Sequence, residues 1–366
     1  MPRNRVALSI VLGALIAPLN AAAQQPGSAG ASRPKLQVLQ ALPEAQLFIL
    51  MNLVADSLGV RCDYCHVQSK PDLTRTPANV GGWVWDSDDK PQKKIAREMM
   101  RMVVDLNKAS FGGRSRVTCY TCHQGALDPA RTPPMPPALY GSGKTAPPAP
   151  LPTIDRLWTN YVNAVGQPGS APPGTGTIIS GWDDRPEGRY GKVEIIMAGA
   201  DRYRVTMTAG DTITRQGIDG DVAWVATNDR VTRLSAAADI ARMRGVAMRF
   251  RPLKDRPANL QVVRIDRVAD RDVYVTRERI DAGTVRMLYF DVVTGLLRRE
   301  LTTTDTILIP LQEQVDYDDY RDVDGVQMPF RVVTSDGAPY DTVTRTFLQI
   351  RRNAAIDEAA FRPPAQ

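Results

Sequence analysis

Histidine and cysteine are almost missing from this chain, with two and four copies among 366 residues. Two histidines leave none spare: once both are engaged, no third is available as a general acid or base or as a distant metal ligand. Long apolar runs are also scarce. Beyond the first 23 residues no stretch approaches the roughly 20 apolar residues that a membrane-spanning helix needs. Aromatic residues make up only 6% of the chain. The formal charge of +6 includes Arg3 and Arg5, whose loss with a leader would leave +4. So modest an excess is a poor argument for nucleic-acid binding, and no nucleic-acid partner is expected.

The few cysteines and histidines fall in two places. Cys62-Asp63-Tyr64-Cys65-His66 and Cys119-Tyr120-Thr121-Cys122-His123 both read C-x-x-C-H, and together they use every cysteine and both histidines of the chain. C-x-x-C-H is the attachment signal for c-type haem. The two thiols bond to the porphyrin, and the adjacent histidine becomes the proximal iron ligand. Paired cysteines have other uses: vicinal disulfides, redox dithiols, or one zinc site built from all four. A zinc ribbon wants roughly 15–20 residues between its pairs, whereas 53 separate Cys65 from Cys119. A dithiol does not explain why histidine follows both pairs and occurs nowhere else. Two covalent haem c groups are therefore expected, and their propionates bring the holoprotein near neutrality.

Residues 1–23 read as a secretory signal. Arg3 and Arg5 form a basic start, residues 6–17 an apolar run, and Ala21-Ala22-Ala23 an A-x-A cleavage site. No cysteine stands near that site for a lipid anchor. Export to the periplasm suits the chemistry, because bacterial c-type haems are attached outside the cytoplasm. Residues 24–35 are rich in Gly, Ser, Gln and Pro and read as a disordered lead-in.

A di-haem domain is expected over 36–127. A helix begins near Pro43-Glu44, with Leu47, Leu50, Met51, Val54 and Leu58 on one face, and ends at Gly59. Residues 67–90 read as a loop. A second helix starts near Asp89-Lys90-Pro91, carries Ile95, Met99, Met102, Val103 and Leu106 on one face, and breaks at Gly112-Gly113. The same unit thus occurs twice: amphipathic helix, short turn, C-x-x-C-H. No third histidine exists for bis-histidine ligation, so methionine is the expected sixth ligand, a choice that raises the potential. Met51 lies 11 residues before Cys62. Met99 and Met102 lie 20 and 17 residues before Cys119 on one face of the second helix; Met99 is the first candidate for the second haem and Met102 the runner-up.

Residues 47–66, and the run from Ile95-Ala96-Arg97-Glu98-Met99 through Val117-Thr118-Cys119-Tyr120-Thr121-Cys122-His123-Gln124-Gly125, resemble haem segments of the photosynthetic reaction-centre cytochrome c subunit family. The resemblance covers about residues 40–127. In that family the axial methionine lies on the helix before its own C-x-x-C-H, which implies Met51 for the first iron and Met99 for the second. The family's subunit carries four haems, one of them with a distant histidine. This chain has two motifs and no such histidine.

Residues 128–152 hold nine prolines and Gly141-Ser142-Gly143, and read as a linker. From 153 onward a β-rich domain is expected. It opens with one amphipathic helix bearing Ile154, Leu157, Trp158, Tyr161, Val162 and Val165. About ten short alternating segments follow, with turn signals at Asp219-Gly220, Thr294-Gly295, Asp324-Gly325 and Asp336-Gly337 and a helical interruption near 234–247. The expected fold is α + β in two domains: a small α-helical di-haem domain, then an antiparallel curved sheet or open β-barrel with one or two helices. Leu288-Tyr289-Phe290-Asp291, Thr294-Gly295-Leu296, Asp319 to Phe330 and Ile356 to Phe361 resemble the LolA-like lipoprotein-carrier type of open barrel. That resemblance implies a sheet wrapped around a helix and room for a hydrophobic ligand. The acidic cluster of Asp316, Asp318, Asp319, Asp322 and Asp324 has Tyr320 where a calcium loop needs an acid, and reads as a solvated strand and turn. The basic run from Arg242 to Lys254 reads as a solvated face.

These features converge on an electron carrier with no catalytic residues, working between periplasmic or membrane-bound donor and acceptor proteins. A ligand-binding or docking β domain is compatible with that role. A haem enzyme such as a peroxidase would need an open iron and a free acid or base, and no histidine is left to supply one.

Overall fold

The computed structural model describes residues 36–40, 42, 44–68, 82–129, 150–166, 172–186, 188–199, 201–228, 230–235, 240, 243–246, 249–336 and 342–364. The expected signal, the lead-in and most of the proline-rich linker lie outside the described residues. The chain divides into two compact units. One is helical and holds the described residues before 130 together with 305–311. The other is β-rich and holds 150–304 and 312–364. The two-part α + β expectation is met.

The described residues of the helical unit form four helices. Helix α1 spans Glu44–Leu58 and α2 spans Cys62–Cys65. The segment expected to be wholly loop holds two short strands, β1 (Val67–Gln68) and β2 (Trp83–Val84), paired antiparallel. Helix α3 runs Pro91–Phe111 and α4 Cys119–His123. Pro91 stands at the start of α3, where its missing N–H costs nothing, and Gly112 closes the helix in the left-handed region at φ 60°. α1 buries Ile49, Leu50, Val54 and Ala55.

The β unit opens with α5 (Ile154–Val165), capped by the Thr153 side chain, which accepts from the Arg156 N–H. It buries Leu157, Tyr161 and Val165, the face expected from the 3.6-residue period. Thirteen antiparallel strands follow: β3 (Thr175–Arg185), β4 (Gly188–Ala198), β5 (Arg202–Ala209), β6 (Thr212–Asp219), β7 (Val222–Thr227), β8 (Arg230–Leu234), β9 (Gln261–Val268), β10 (Arg271–Arg279), β11 (Thr284–Asp291), β12 (Leu297–Thr304), β13 (Leu311–Val323), β14 (Val326–Ser335) and β15 (Val343–Ala355). The order across the sheet is β8-β7-β6-β5-β4-β3-β15-β14-β13-β12-β11-β10-β9. Two meanders therefore meet where β15 pairs with β3, and β8 and β9 are the ends.

The core shows that this sheet curls. Ala223 of β7 and Leu288 of β11 belong to one buried cluster with the α5 residues. In a flat sheet those strands would stand roughly 40 Å apart at about 4.8 Å per strand. Tyr161 joins the layers: its ring meets Phe290 edge-on at 5.3 Å, and its hydroxyl accepts from the Leu253 N–H at 2.8 Å. The concave side is filled by this cluster, with Met243, Phe250 and Leu260 closing over it. A cleft of about 450 Å³ opens beside it, lined by residues that include Leu157, Asn160, Tyr274, Phe290 and Asp291.

The acidic cluster is structural. Arg299 holds Asp316 with two hydrogen bonds, Arg298 pairs with Asp318 at 2.9 Å, Arg321 pairs with Asp319, and Asp322 accepts from the Gly325 N–H in the turn. The basic run is likewise occupied: Arg244 bonds Gly220 and Asp221, and Arg249 bonds Glu313. Among the described residues no helix is long and apolar enough to cross a membrane.

Candidate functional site

Each C-x-x-C-H sits on a single helical turn reached by a sharp reversal. In the first, Gly59 ends α1 at φ 64°, Arg61 is extended, and α2 begins at Cys62. Residues three apart on a helix share a side, so the Cys62 and Cys65 thiols are presented together. His66 leaves the turn in extended backbone while its N–H donates to the Cys62 carbonyl at 2.9 Å. In the second, Asn107 near the end of α3 anchors the approach. Its Oδ1 accepts from the N–H groups of Arg116 and Val117, both at 3.0 Å, and its Nδ2 donates to the Val117 carbonyl at 2.7 Å. Thr118 and Thr121 then form a reciprocal capping box at the start of α4.

The two repeats interlock crosswise: α4 packs on α1, and α2 packs on α3. At the first contact the Gly125 N–H donates to the Ser57 carbonyl at 3.0 Å. A Cβ on Gly59 would lie 2.1 Å from the Gly125 oxygen, so close an approach that only glycine fits. At the second contact Lys90 donates to the Asp63 carbonyl within the first motif.

The two imidazoles stand in different surroundings. His123 Nδ1 lies 3.0 Å from the Ala126 carbonyl. That bond assigns the proton to Nδ1 and leaves Nε2 as the nitrogen for a metal. His66 is half-buried, and its Nδ1 makes no hydrogen bond. The Trp85 ring meets it edge-on at 4.9 Å, and Trp85 stacks on Trp83 at 5.2 Å. Burial and the Lys93 ammonium push the His66 imidazole down to about 4. Burial also raises the Cys65 and Cys119 thiols. None of the four cysteines is in a disulfide. They lie in two pairs on separate helices, and among the described residues no three His, Cys, Asp or Glu side chains converge to hold a metal ion.

The methionines divide. Met51 is half-buried on α1, whereas Met99 and Met102 are exposed at 42% and 52%. With Ile95 and Leu106 they form the stripe read from the sequence as a packing face of α3. In the structure these four face out, and the fifth residue of that expected face, Val103, is buried together with Lys93, Met100 and Asn107. A four-residue apolar stripe at the surface calls for a cover. Paired cysteines outside any disulfide, a histidine after each pair and this stripe are the donor set and apolar bed that a haem c needs, so the residues fit the group.

Lys93, Trp85 and Asn107 were not legible as site residues. Lys93 carried one signal, since a lysine at the buried register of a helix needs a partner.

No family model matches the chain. Over 97 residues it is 34% identical to cytochrome c-554 of Chloroflexus aurantiacus, a match that covers 25% of this chain and 20% of that protein. The matched stretch is thus about a fifth of the relative's length. Together with the two cysteine pairs, this similarity points to haem c as the cofactor. Solved structures similar to the chain include a LolA superfamily protein from Nitrosomonas europaea, 14% identical, covering 58% of this chain and 99% of that one with a TM-score of 0.39. An outer membrane lipoprotein-sorting protein domain from Vibrio parahaemolyticus is 10% identical over 57% of this chain and 93% of that one, with a TM-score of 0.36. Likenesses at these scores carry no functional argument.

Proposed function

We propose that this protein is an exported di-haem c-type cytochrome that passes single electrons between periplasmic or membrane-bound partner proteins. The observation that carries this reading is the duplicated unit itself: each of two helix–turn repeats ends in a pair of cysteines outside any disulfide followed by histidine, and nothing else in the chain uses cysteine or histidine. Bound haem supplies a one-electron ferrous–ferric couple. Cys62, Cys65, Cys119 and Cys122 hold the porphyrins, and His66 and His123 present ring nitrogens to iron. Met51 and Met99 complete the two sites, with Met102 as the alternative to Met99. With both axial positions filled no substrate reaches iron, which makes the protein a carrier rather than an enzyme. Similarity to a cytochrome c-554 segment supports the haem half, as does its resemblance to reaction-centre cytochrome subunits.

Full-length protein matured in a host that assembles c-type cytochromes should gain two haem masses. Its dithionite-reduced spectrum should not change under carbon monoxide. A gain of one haem or none overturns the di-haem reading, and carbon monoxide binding to the wild type overturns the closed-site carrier.

A further inference from the structure

We propose that the buried ammonium of Lys93 gives the haem of the first motif a higher reduction potential than the haem of the second, so that electrons within the protein run from the second to the first. The inference rests on the reading of His66 and His123 as iron ligands.

Three features act in the same direction. The first is a fixed positive charge. The Lys93 side chain is only 10% exposed. It donates to the carbonyls of Trp85 and Ser87, the latter at 2.8 Å, and the Trp85 ring rests on His66 at 4.9 Å. Lys90 is bonded to the Asp63 carbonyl inside the motif, and Arg97 lies 2.8 Å from Asp88. Lys93 and Arg97 thus share one carboxylate, Asp88, which is itself partly exposed, while Lys90 adds a third cation at the motif. Ferric iron carries one more positive charge than ferrous iron, and a fixed cation away from bulk water opposes that extra charge. The second feature is a difference in hydrogen bonding at the two ligands: His66 Nδ1 has no partner, whereas His123 Nδ1 donates to the Ala126 carbonyl at 3.0 Å. That donation makes His123 the more electron-rich ligand, and the less electron-rich His66 favours the ferrous state. The third is the direction of α3. Its N-terminal end packs on the first motif and its C-terminal end holds the approach to the second, through Asn107. The helix dipole places its positive end at the first site and its negative end toward the second.

Among the described residues no Lys or Arg side chain bonds to the second motif. Its hydrogen bonds among the described residues run to neutral groups: the Asn107 amide, the Thr118 and Thr121 hydroxyls, and the Ala126 carbonyl.

The test is a potentiometric titration of the full-length holoprotein, wild type against Lys93→Met, Lys93→Arg and Lys94→Met. Two one-electron couples are expected in the wild type. Lys93→Met should lower the upper couple about tenfold in its equilibrium constant, which is about 59 mV for one electron. It should leave the lower couple in place. Lys93→Arg keeps the charge and should hold the upper couple near its original position. Lys94→Met removes an equal charge from an exposed position and should move neither couple. A shift of the lower couple, an equal fall of both, or no shift in a variant that carries two haems overturns the inference. If Lys93→Met fails to fold, Lys90→Met should lower the upper couple by a smaller factor, and an unmoved upper couple there overturns the inference equally. Purified protein without two haems, seen by mass before any titration, overturns the reading on which the inference rests.

Discussion

The N–H of Gly125 donates to the carbonyl of Ser57 at 3.0 Å, which ties the residues after the second motif to the last turn of the helix that leads into the first. Gly59 lies against the same strand of backbone, and any Cβ there would stand 2.1 Å from the Gly125 oxygen. Its positive φ adds a conformational cost for any other residue. Gly59→Ala should therefore destabilise the helical unit by about 3 kcal/mol or more. Chemical denaturation followed by haem absorbance would show it. Gly113→Ala removes another positive-φ glycine, but one with open space around it, and should cost about 1 kcal/mol.

Asn107 makes a separate prediction. It satisfies two backbone N–H groups and one carbonyl just before Cys119. Asn107→Leu leaves those groups unpaired at a cost of about 1–3 kcal/mol for each one that stays buried. The second motif should then be presented poorly to the attachment machinery, and the mass spectrum should shift toward protein carrying one haem. Asn107→Asp retains the acceptor oxygen and should keep more of the two-haem form. Equal two-haem yields from wild type and Asn107→Leu would show that the anchor has no part in maturation.

Most of this architecture could be read from local signals. Gly59, Pro91 and Gly112 mark helix ends by their backbone preferences, and the observed bounds of α1 and α3 follow them, as those of α5 follow Thr153 and Gly166. Ten of the thirteen strands announce themselves by alternation. The other three do not: β3 begins with Thr175-Gly176-Thr177 and ends in Trp182-Asp183-Asp184-Arg185, β6 carries Thr, Arg and Gln where apolar residues would show, and β8 has five residues. The site residues were legible where the chemistry is local, as in C-x-x-C-H. Lys93, Trp85 and Asn107 act across gaps of chain that no spacing rule spans. The α3 stripe was legible as apolar, but its outward orientation depends on what packs behind it.

The β unit contains an ion pair whose value can be measured directly. Arg345 reaches Asp183 across the β15–β3 pairing with hydrogen bonds of 3.0 and 3.4 Å, and the carboxylate side chain is 2% exposed. Asp183→Ala leaves the guanidinium uncompensated and should cost about 3–5 kcal/mol. Replacing both, as Asp183→Leu with Arg345→Met, removes the desolvation penalty with the attraction and should cost clearly less than the two single changes together. Additive losses in urea denaturation would mean that the two side chains act independently.

The methionines provide the sharpest contrast among the proposed ligands. Met99 and Met102 are both exposed on α3, three residues apart and on the same stripe. Exposure alone therefore does not separate them, and a functional readout must. In reduced holoprotein Met51→Ala and Met99→Ala should each admit about one equivalent of carbon monoxide, because each removes one sixth ligand. The double variant should admit two. Met102→Ala should admit none and should lose only a small packing contribution, as expected of a flexible side chain at a surface. If Met102→Ala opens the site and Met99→Ala does not, the ligand of the second iron is Met102, one helical turn nearer the motif. If neither opens it, the second iron draws its sixth ligand from elsewhere in the chain, and the helix–turn–motif unit does not contain its own ligand.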